Sequence, residues 1–164
     1  MDALAVGMFW VSSVLILPFW FLMWFMPEHR LTKQYVGDIR WSVVPLLVPY
    51  TLLALPNAAD ILLTFATEMP TPEIVVDLFA DDQVVVLAWL HMLAFDLFIG
   101  RYVWLRMIAA QRPIYVSTPI LILCMMMGPL GFLLGLFATW SQTHTEPLES
   151  KMLADSTHSE TVSL

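Results

Sequence analysis

The sequence predicts an all-α, polytopic membrane protein with four transmembrane helices and both termini on the outer, non-cytoplasmic side. Three observations predict it. The 164 residues are 59% hydrophobic and only 13% charged, with a mean hydropathy of +0.76; a soluble domain is nearer ~45–50% apolar and ~25% charged. Four apolar stretches each reach the ~20 residues that a lipid-spanning helix needs. Two basic loops flank an acidic one. None of the four stretches alternates with period two, so a barrel is not expected.

The spans cover about residues 3–26, 41–65, 83–105 and 117–140. Residues 1–141 then form a four-helix transmembrane domain, and the polar, Ser/Thr-rich residues 142–164 form a disordered tail. The first span follows Met1-Asp2, with no Lys or Arg before it and no small-residue cleavage site after it. It reads as a retained anchor rather than a signal or transit peptide. Orientation follows from the basic residues. Arg30, Lys33 and Arg40 lie between spans one and two, and Arg101, Arg106 and Arg112 at or after the end of span three. The loop between spans two and three carries Glu68, Glu73, Asp77, Asp81 and Asp82. The basic loops are therefore cytoplasmic, and with no transit sequence before the first span the expected membrane is a bacterial inner or photosynthetic one. In the acidic loop, Ile74, Val75, Leu78 and Phe79 recur at helical spacing opposite Glu73, Asp77 and Asp81, the pattern of a short interfacial helix or of a solvated loop.

Span two contains Pro45, Pro49 and Pro56, each of which removes a backbone donor and crowds the carbonyl four residues back. Asn57 and Asp60 follow on one helical face. They either satisfy the broken helix or line a polar cavity. In span four, Gly128-Pro129 predicts a kink. Gly131 and Gly135 form a GxxxG spacing that lets another helix approach closely, which suits a homodimer or a partner chain. Cys124, the sole cysteine, excludes an intramolecular disulfide and reads as a packing thiol.

Span three holds the unusual residues. In "WLHMLAFDLFIGRYVW", Trp89 to Trp104, an apolar run carries His91, Asp96 and Arg101. Arg101 is near the basic side and can snorkel to the interface between Tyr102 and Trp104. His91 and Asp96 lie deeper, where a bare charge costs at least ~2.5–3.5 kcal/mol. Each requires a partner or a cavity, or Asp96 must stay protonated, and a protonated acid is a proton donor. Five residues put them roughly 140° apart around the helix, so they are not a direct pair. A hydrogen-bonded network that only fixes helix packing is the structural alternative.

The inventory excludes much else. There is no paired histidine set for bis-His haem, no carboxylate–histidine pairs for di-iron chemistry, no metal cluster, no nucleotide-binding glycine loop and no nucleophile elbow. The net charge of −7 with seven Lys and Arg offers nothing to nucleic acid. What remains is acid–base chemistry without a cofactor, binding of pigment or membrane lipid, or passage of a small species through the broken second span.

The run "WLHMLAFDLFIG" and the later "PILILCMMMGPLG", Pro119 to Gly131, with "LFADD" at Leu78 to Asp82, resemble the abscisic-acid-deficient-four-like family. The likeness covers most of residues 41–138. The resemblance implies a role in carotenoid metabolism, where the plant reaction isomerises violaxanthin to neoxanthin by opening an epoxide to an allene, with no cofactor formally required. On that reading Asp96 is the acid and His91 the base, with Asp60 a further candidate. Trp89, Phe95, Phe98 and Asn57 would contact the carotenoid, and Arg101, Gly128, Pro129, Gly131 and Gly135 are structural. The competing expectation is a non-enzymatic carotenoid- or chlorophyll-binding subunit of a photosynthetic or pigment-assembly complex, with His91 ligating a pigment magnesium. A small transporter is the third.

Overall fold

The computed structural model describes residues 3–67 and 71–140, and among them all regular structure is helical. The tail over 142–164 lies outside the described residues. Helix α1 (Ala3–Phe25) is followed in the first basic loop by two short helices, α2 (Arg30–Tyr35) and α3 (Ile39–Ser42). Then come α4 (Val44–Thr67), α5 (Pro72–Leu78), α6 (Asp82–Ala109), α7 (Ile114–Met126) and α8 (Gly128–Ala138). Among the described residues α1 and α6 are long and apolar enough to cross a membrane. Only 22% and 28% of their apolar windows are buried by the rest of the protein. The core helix of a soluble fold would be mostly covered; these present apolar surface outward, as helices in lipid do.

The short helices start on polar caps. His29 Nδ1 accepts from the Leu31 amide at 3.2 Å, and Asp38 accepts from the Arg40 amide at 2.9 Å. Thr71 caps α5, with Pro72 in its first turn. Asp81 accepts from the Gln83 and Val84 amides and starts α6. Each side-chain oxygen or nitrogen satisfies an amide that has no partner in the first helical turn.

The prolines of α4 behave unequally. Pro49 and Pro56 lie inside a helix that continues through them. Pro45, expected to break it, instead occupies its first turn, where no intrahelical donor is needed.

The larger departure is in the stretch expected as span four. It is two helices folded back on each other, not one helix with a kink. Met127 leaves the helical region with φ −145° and ψ 73°. A Cβ built on Gly131 would collide with the backbone of Cys124 and Leu123. In a continuous helix, residues seven apart are separated by ~10 Å. The physical reason lies in Gly128-Pro129: Pro129 cannot donate to the carbonyl of Met125, and its ring obstructs the helical path there. The amides of Leu130 and Gly131 turn back onto the Met127 carbonyl and begin α8 afresh. Glycine at 131 is required because any side chain would stand between the two backbones.

Cross-links fix the direction of the pair. Thr118, near the start of α7, donates to the Trp24 carbonyl at the end of α1 (3.0 Å). Thr139, just beyond α8, accepts from Arg106 Nε at 2.9 Å, and its carbonyl accepts from the same guanidinium. Gly135 packs on Val103 of α6. So α8 runs back alongside α6 and ends at the same, basic end of the molecule at which α7 begins. At 13 and 11 residues, the two arms are ~20 Å and ~17 Å long, short of the ~30 Å apolar thickness of a bilayer.

The core sits around α6. Trp20, Met23, Leu97, Val103, Leu121 and Cys124 form one buried cluster. Gly100 is the crossing point, since a Cβ there would strike the Trp20 ring. A smaller cluster of Ala5, Val86 and Leu90, with Tyr50 and Leu53 against it, closes the other end.

Candidate functional site

His91, Asp96 and Arg101 of α6 go to three different places. Arg101 reaches the first basic loop. Its Nε donates to the Val36 carbonyl at 2.8 Å and its Nη2 to the Gly37 carbonyl. These groups lie just beyond α2, so the guanidinium caps the negative end of that helix. This orders the loop against the bundle.

Asp96 is half-buried and faces the fold-back. Its carboxylate lies against Gly128 at the start of α8, where an added Cβ would collide with Oδ1. The first amides of a helix carry partial positive charge. The geometry therefore sets an acidic group at the favourable end of a half-length helix, in the middle of the molecule. Broken helices in membranes commonly present such ends to anionic groups.

His91 lies on another side of α6. It is exposed, stacked on Phe95 with ring centroids 4.5 Å apart, and 5.7 Å from the Tyr50 ring of α4. The structure thus does not bring His91 and Asp96 onto common neighbours; each faces a different helix, as their angular separation on α6 requires. Trp89 donates weakly to Ser13 of α1 at 3.4 Å and faces Phe9. Together with Phe95 and Phe98 it presents exposed aromatic surface. Asn57 and Asp60 are on α4, and their side chains lie outside the described ones.

Gly131 and Gly135, expected to let another helix approach closely, are packed against this chain's own helices. Gly128, Gly131 and Gly135 are buried, facing Asp96, the α7 backbone and Val103 in turn. Pro129 forms the first turn of α8. Two features escape a reading of the sequence. One is Gly128 as the residue that makes room for Asp96. The other is the Arg106–Thr139 link, for which the only signal is a basic residue near the end of an apolar run and a threonine near the end of the next.

An all-helical fold with two helices long and apolar enough to cross a membrane, and a broken pair with an acid at the break, is the class that the described residues define. A model of the ABA DEFICIENT 4-like family matches residues 7–134, and the chain belongs to that family. It is also similar to Protein ABA DEFICIENT 4, chloroplastic, of Arabidopsis thaliana, at 26% identity over 104 residues, covering 62% of this chain and 47% of that one. The chain spans about half the length of the curated relative it matches. No solved structure matches it.

Proposed function

We propose that the chain is an integral membrane protein of carotenoid metabolism that opens a carotenoid epoxide by acid–base chemistry, with no net redox change. The observation that carries the reading is Asp96, a half-buried acid in apolar surroundings at the break between α7 and α8, in a chain of the ABA DEFICIENT 4-like family. Asp96 gives its proton to the epoxide oxygen as the C–O bond breaks. A proton then leaves the neighbouring polyene carbon for His91, or for Asp60, by way of a bridging water, because His91 faces α4 rather than the Asp96 side of α6, and the electron pair left behind forms the allene. One proton enters and one leaves, so the isomer has unchanged mass. The exposed rings of Trp89, Phe95 and Phe98 offer flat apolar contact to a polyene, with Asn57 on the neighbouring helix.

The membrane disposition follows the fold-back. Helices α1, α4 and α6 cross, and α7–α8 enters from the basic, cytoplasmic side and returns to it. On this reading the chain starts outside and its α8 end is cytoplasmic, with three crossings and one re-entrant pair in place of four crossings. Irregular backbone at depth is tolerated where it is buried in protein, and Met127-Gly128 lies against α6. A bacterial inner or photosynthetic membrane fits this arrangement.

A second reading draws on His91. Its exposed ring, stacked on Phe95 beside Tyr50, suits ligation of a pigment magnesium in a non-enzymatic binding subunit. Pigment chromatography separates the two. In cells accumulating epoxy-carotenoids, the wild-type chain should yield a new carotenoid of unchanged mass, absent with Asp96→Asn and His91→Ala at equal protein level. An unchanged profile, with pigment bound stoichiometrically to the purified protein, would replace the isomerase with the binding subunit.

A further inference from the structure

The mechanism above leaves unused a cavity at the opposite end of α6 from His91. It opens where the turn after α1 meets the turn between α6 and α7, and it holds about 570 Å³, within the usual range for small-molecule sites, ~300–1,000 Å³. Its floor is apolar, made by Trp104, Met107 and Ile108. Its rim is polar: Glu28 and His29 from one side, Gln111 and Arg112 from the other. The floor is held in shape by the Trp104 indole, which donates to the Pro27 carbonyl at 3.1 Å.

We infer that this cavity seats an uncharged, oxygenated ring end of a long apolar molecule, a hydroxylated or epoxidised carotenoid ring. The inference deepens the carotenoid reading and rests on it for the identity of the apolar chain. Three observations support it. The first is the composition of the rim. Glu28 supplies acceptors only, while Arg112 supplies donors only and Gln111 both. His29 Nδ1 is already engaged by the Leu31 amide, so its neutral ring carries a donor at Nε2. Such a mixture suits hydroxyl and ether oxygens, whereas a phosphate headgroup would meet the like charge of Glu28. The second is the sequence of environments. A polar rim at the basic interface above an apolar floor matches a molecule whose oxygenated end lies at the interface and whose body lies in hydrocarbon.

The third is length. From Met107 to His91 along α6 is 16 residues, or ~24 Å. A polyene with a ring at each end is about as long as the apolar core of a bilayer is thick, ~30 Å. One ring seated on Met107 and Ile108 carries the polyene past Asp96, which lies on the Met107 side of α6, and its far end reaches the level of His91. The cavity thus acts as the anchor for the ring that does not react.

The test uses the full chain in lipid nanodiscs, with visible circular dichroism induced on the polyene as the readout of binding. Ile108→Trp fills the floor, and Ile114→Trp narrows the mouth should the first variant fold poorly. A carotenoid hydroxylated on both rings should bind wild type at least about ten-fold more tightly than its unoxygenated hydrocarbon parent. Each filling variant should abolish that preference. Equal binding of the two carotenoids, or a preference untouched by both variants, would overturn the inference. So would displacement of the pigment by phosphatidylglycerol in a manner lost with Arg112→Gln, which would assign the cavity to lipid. Isomer formation is measured in the same samples. Selective binding lost on filling the cavity, without any isomer from wild type, would remove the isomerase and keep the ring site. Isomer formed as well by both filled variants would remove the ring site and keep the isomerase.

Discussion

The carboxylate of Asp96 and the α-carbon of Gly128 stand so close that no β-carbon fits between them. One residue is in the middle of α6 and the other opens α8, so this contact seats the tip of the folded-back pair on the bundle. It also sets the orientation of the acid, because the α8 end limits where the carboxylate can turn.

Gly128→Ala should therefore act on both stability and turnover. The added methyl must displace Asp96 or lift α8, and overpacking of this kind costs ~1–3 kcal/mol. Thermal unfolding followed by circular dichroism should fall accordingly, and isomer formation should drop with it. The double variant Gly128→Ala/Asp96→Ala removes the collision and should recover much of the lost stability relative to Gly128→Ala alone, while turnover stays absent. Additive losses in the double variant would mean that the two residues are not coupled.

Arg101 offers a different kind of prediction. Its guanidinium bonds two carbonyls of the α2–α3 loop, and hydrogen bonds to a charged group are worth ~1.5–3 kcal/mol. Arg101→Met should destabilise the protein by ~2–3 kcal/mol and raise amide exchange selectively over residues 30–37. Arg101→Lys, which lacks the planar fork, should recover only part of the protection. Unchanged exchange in that loop would mean that Arg101 merely snorkels.

Much of the helical layout is legible in the sequence, because hydropathy and length set where apolar helices can run. The reversal at Met127 is not. Twenty-four apolar residues satisfy one crossing helix and two half-length helices equally well, and Gly128-Pro129 reads as a kink in either case. The decision is made by Gly131, whose missing side chain lets α8 lie on the α7 backbone, and that contact is invisible without the fold. The site divides in the same way. The divergence of His91 and Asp96 follows from helical geometry alone. The partner of Asp96 does not, since it exists only once the chain has turned back. The effect of Pro45 depends on where the helix begins, and Val44 begins it one residue earlier, a boundary that hydropathy leaves open.

Two glycines make a controlled contrast. Gly131→Val forces a branched side chain into the backbone of Cys124 and should cost ~3 kcal/mol or more. Gly7 sits inside α1, and a β-carbon added there would meet nothing within 4 Å. Gly7→Ala should instead stabilise by ~0.5–1 kcal/mol, the ordinary cost of glycine in a helix interior. Thermal unfolding of the two variants should move in opposite directions, and a parallel loss would contradict the open surroundings of Gly7.

The α5 cap gives a pH dependence. Hydrogen bonding from its own backbone amide and from Thr71 holds the Glu73 carboxyl below its usual range. A lowered folded value means that the group stabilises the helix above the ordinary carboxylate pKa and that this contribution is lost as pH falls through the folded value. Amide exchange over residues 74–78, corrected for its intrinsic pH dependence, should rise on acidification in wild type. Glu73→Gln should show the weaker protection already at neutral pH and no further acid step. An acid step of wild-type size in the variant would assign it to another group.

The fold-back predicts which side of the membrane the end of α8 occupies. Thr139 is tied to Arg106 at the basic end of α6, and α7 leaves from that same end. Single cysteines at Leu4, Arg112 and Trp140, introduced into a Cys124→Ser background, report the sidedness. In sealed vesicles of known orientation, a membrane-impermeant maleimide should label positions 112 and 140 from the cytoplasmic face and position 4 from the opposite one. Basic loops favour the cytoplasm, so position 112 fixes the reference. Labelling of position 140 together with position 4 would require α7 and α8 to cross the membrane as one span, which their combined length would allow but the contact between Gly131 and Cys124 would not.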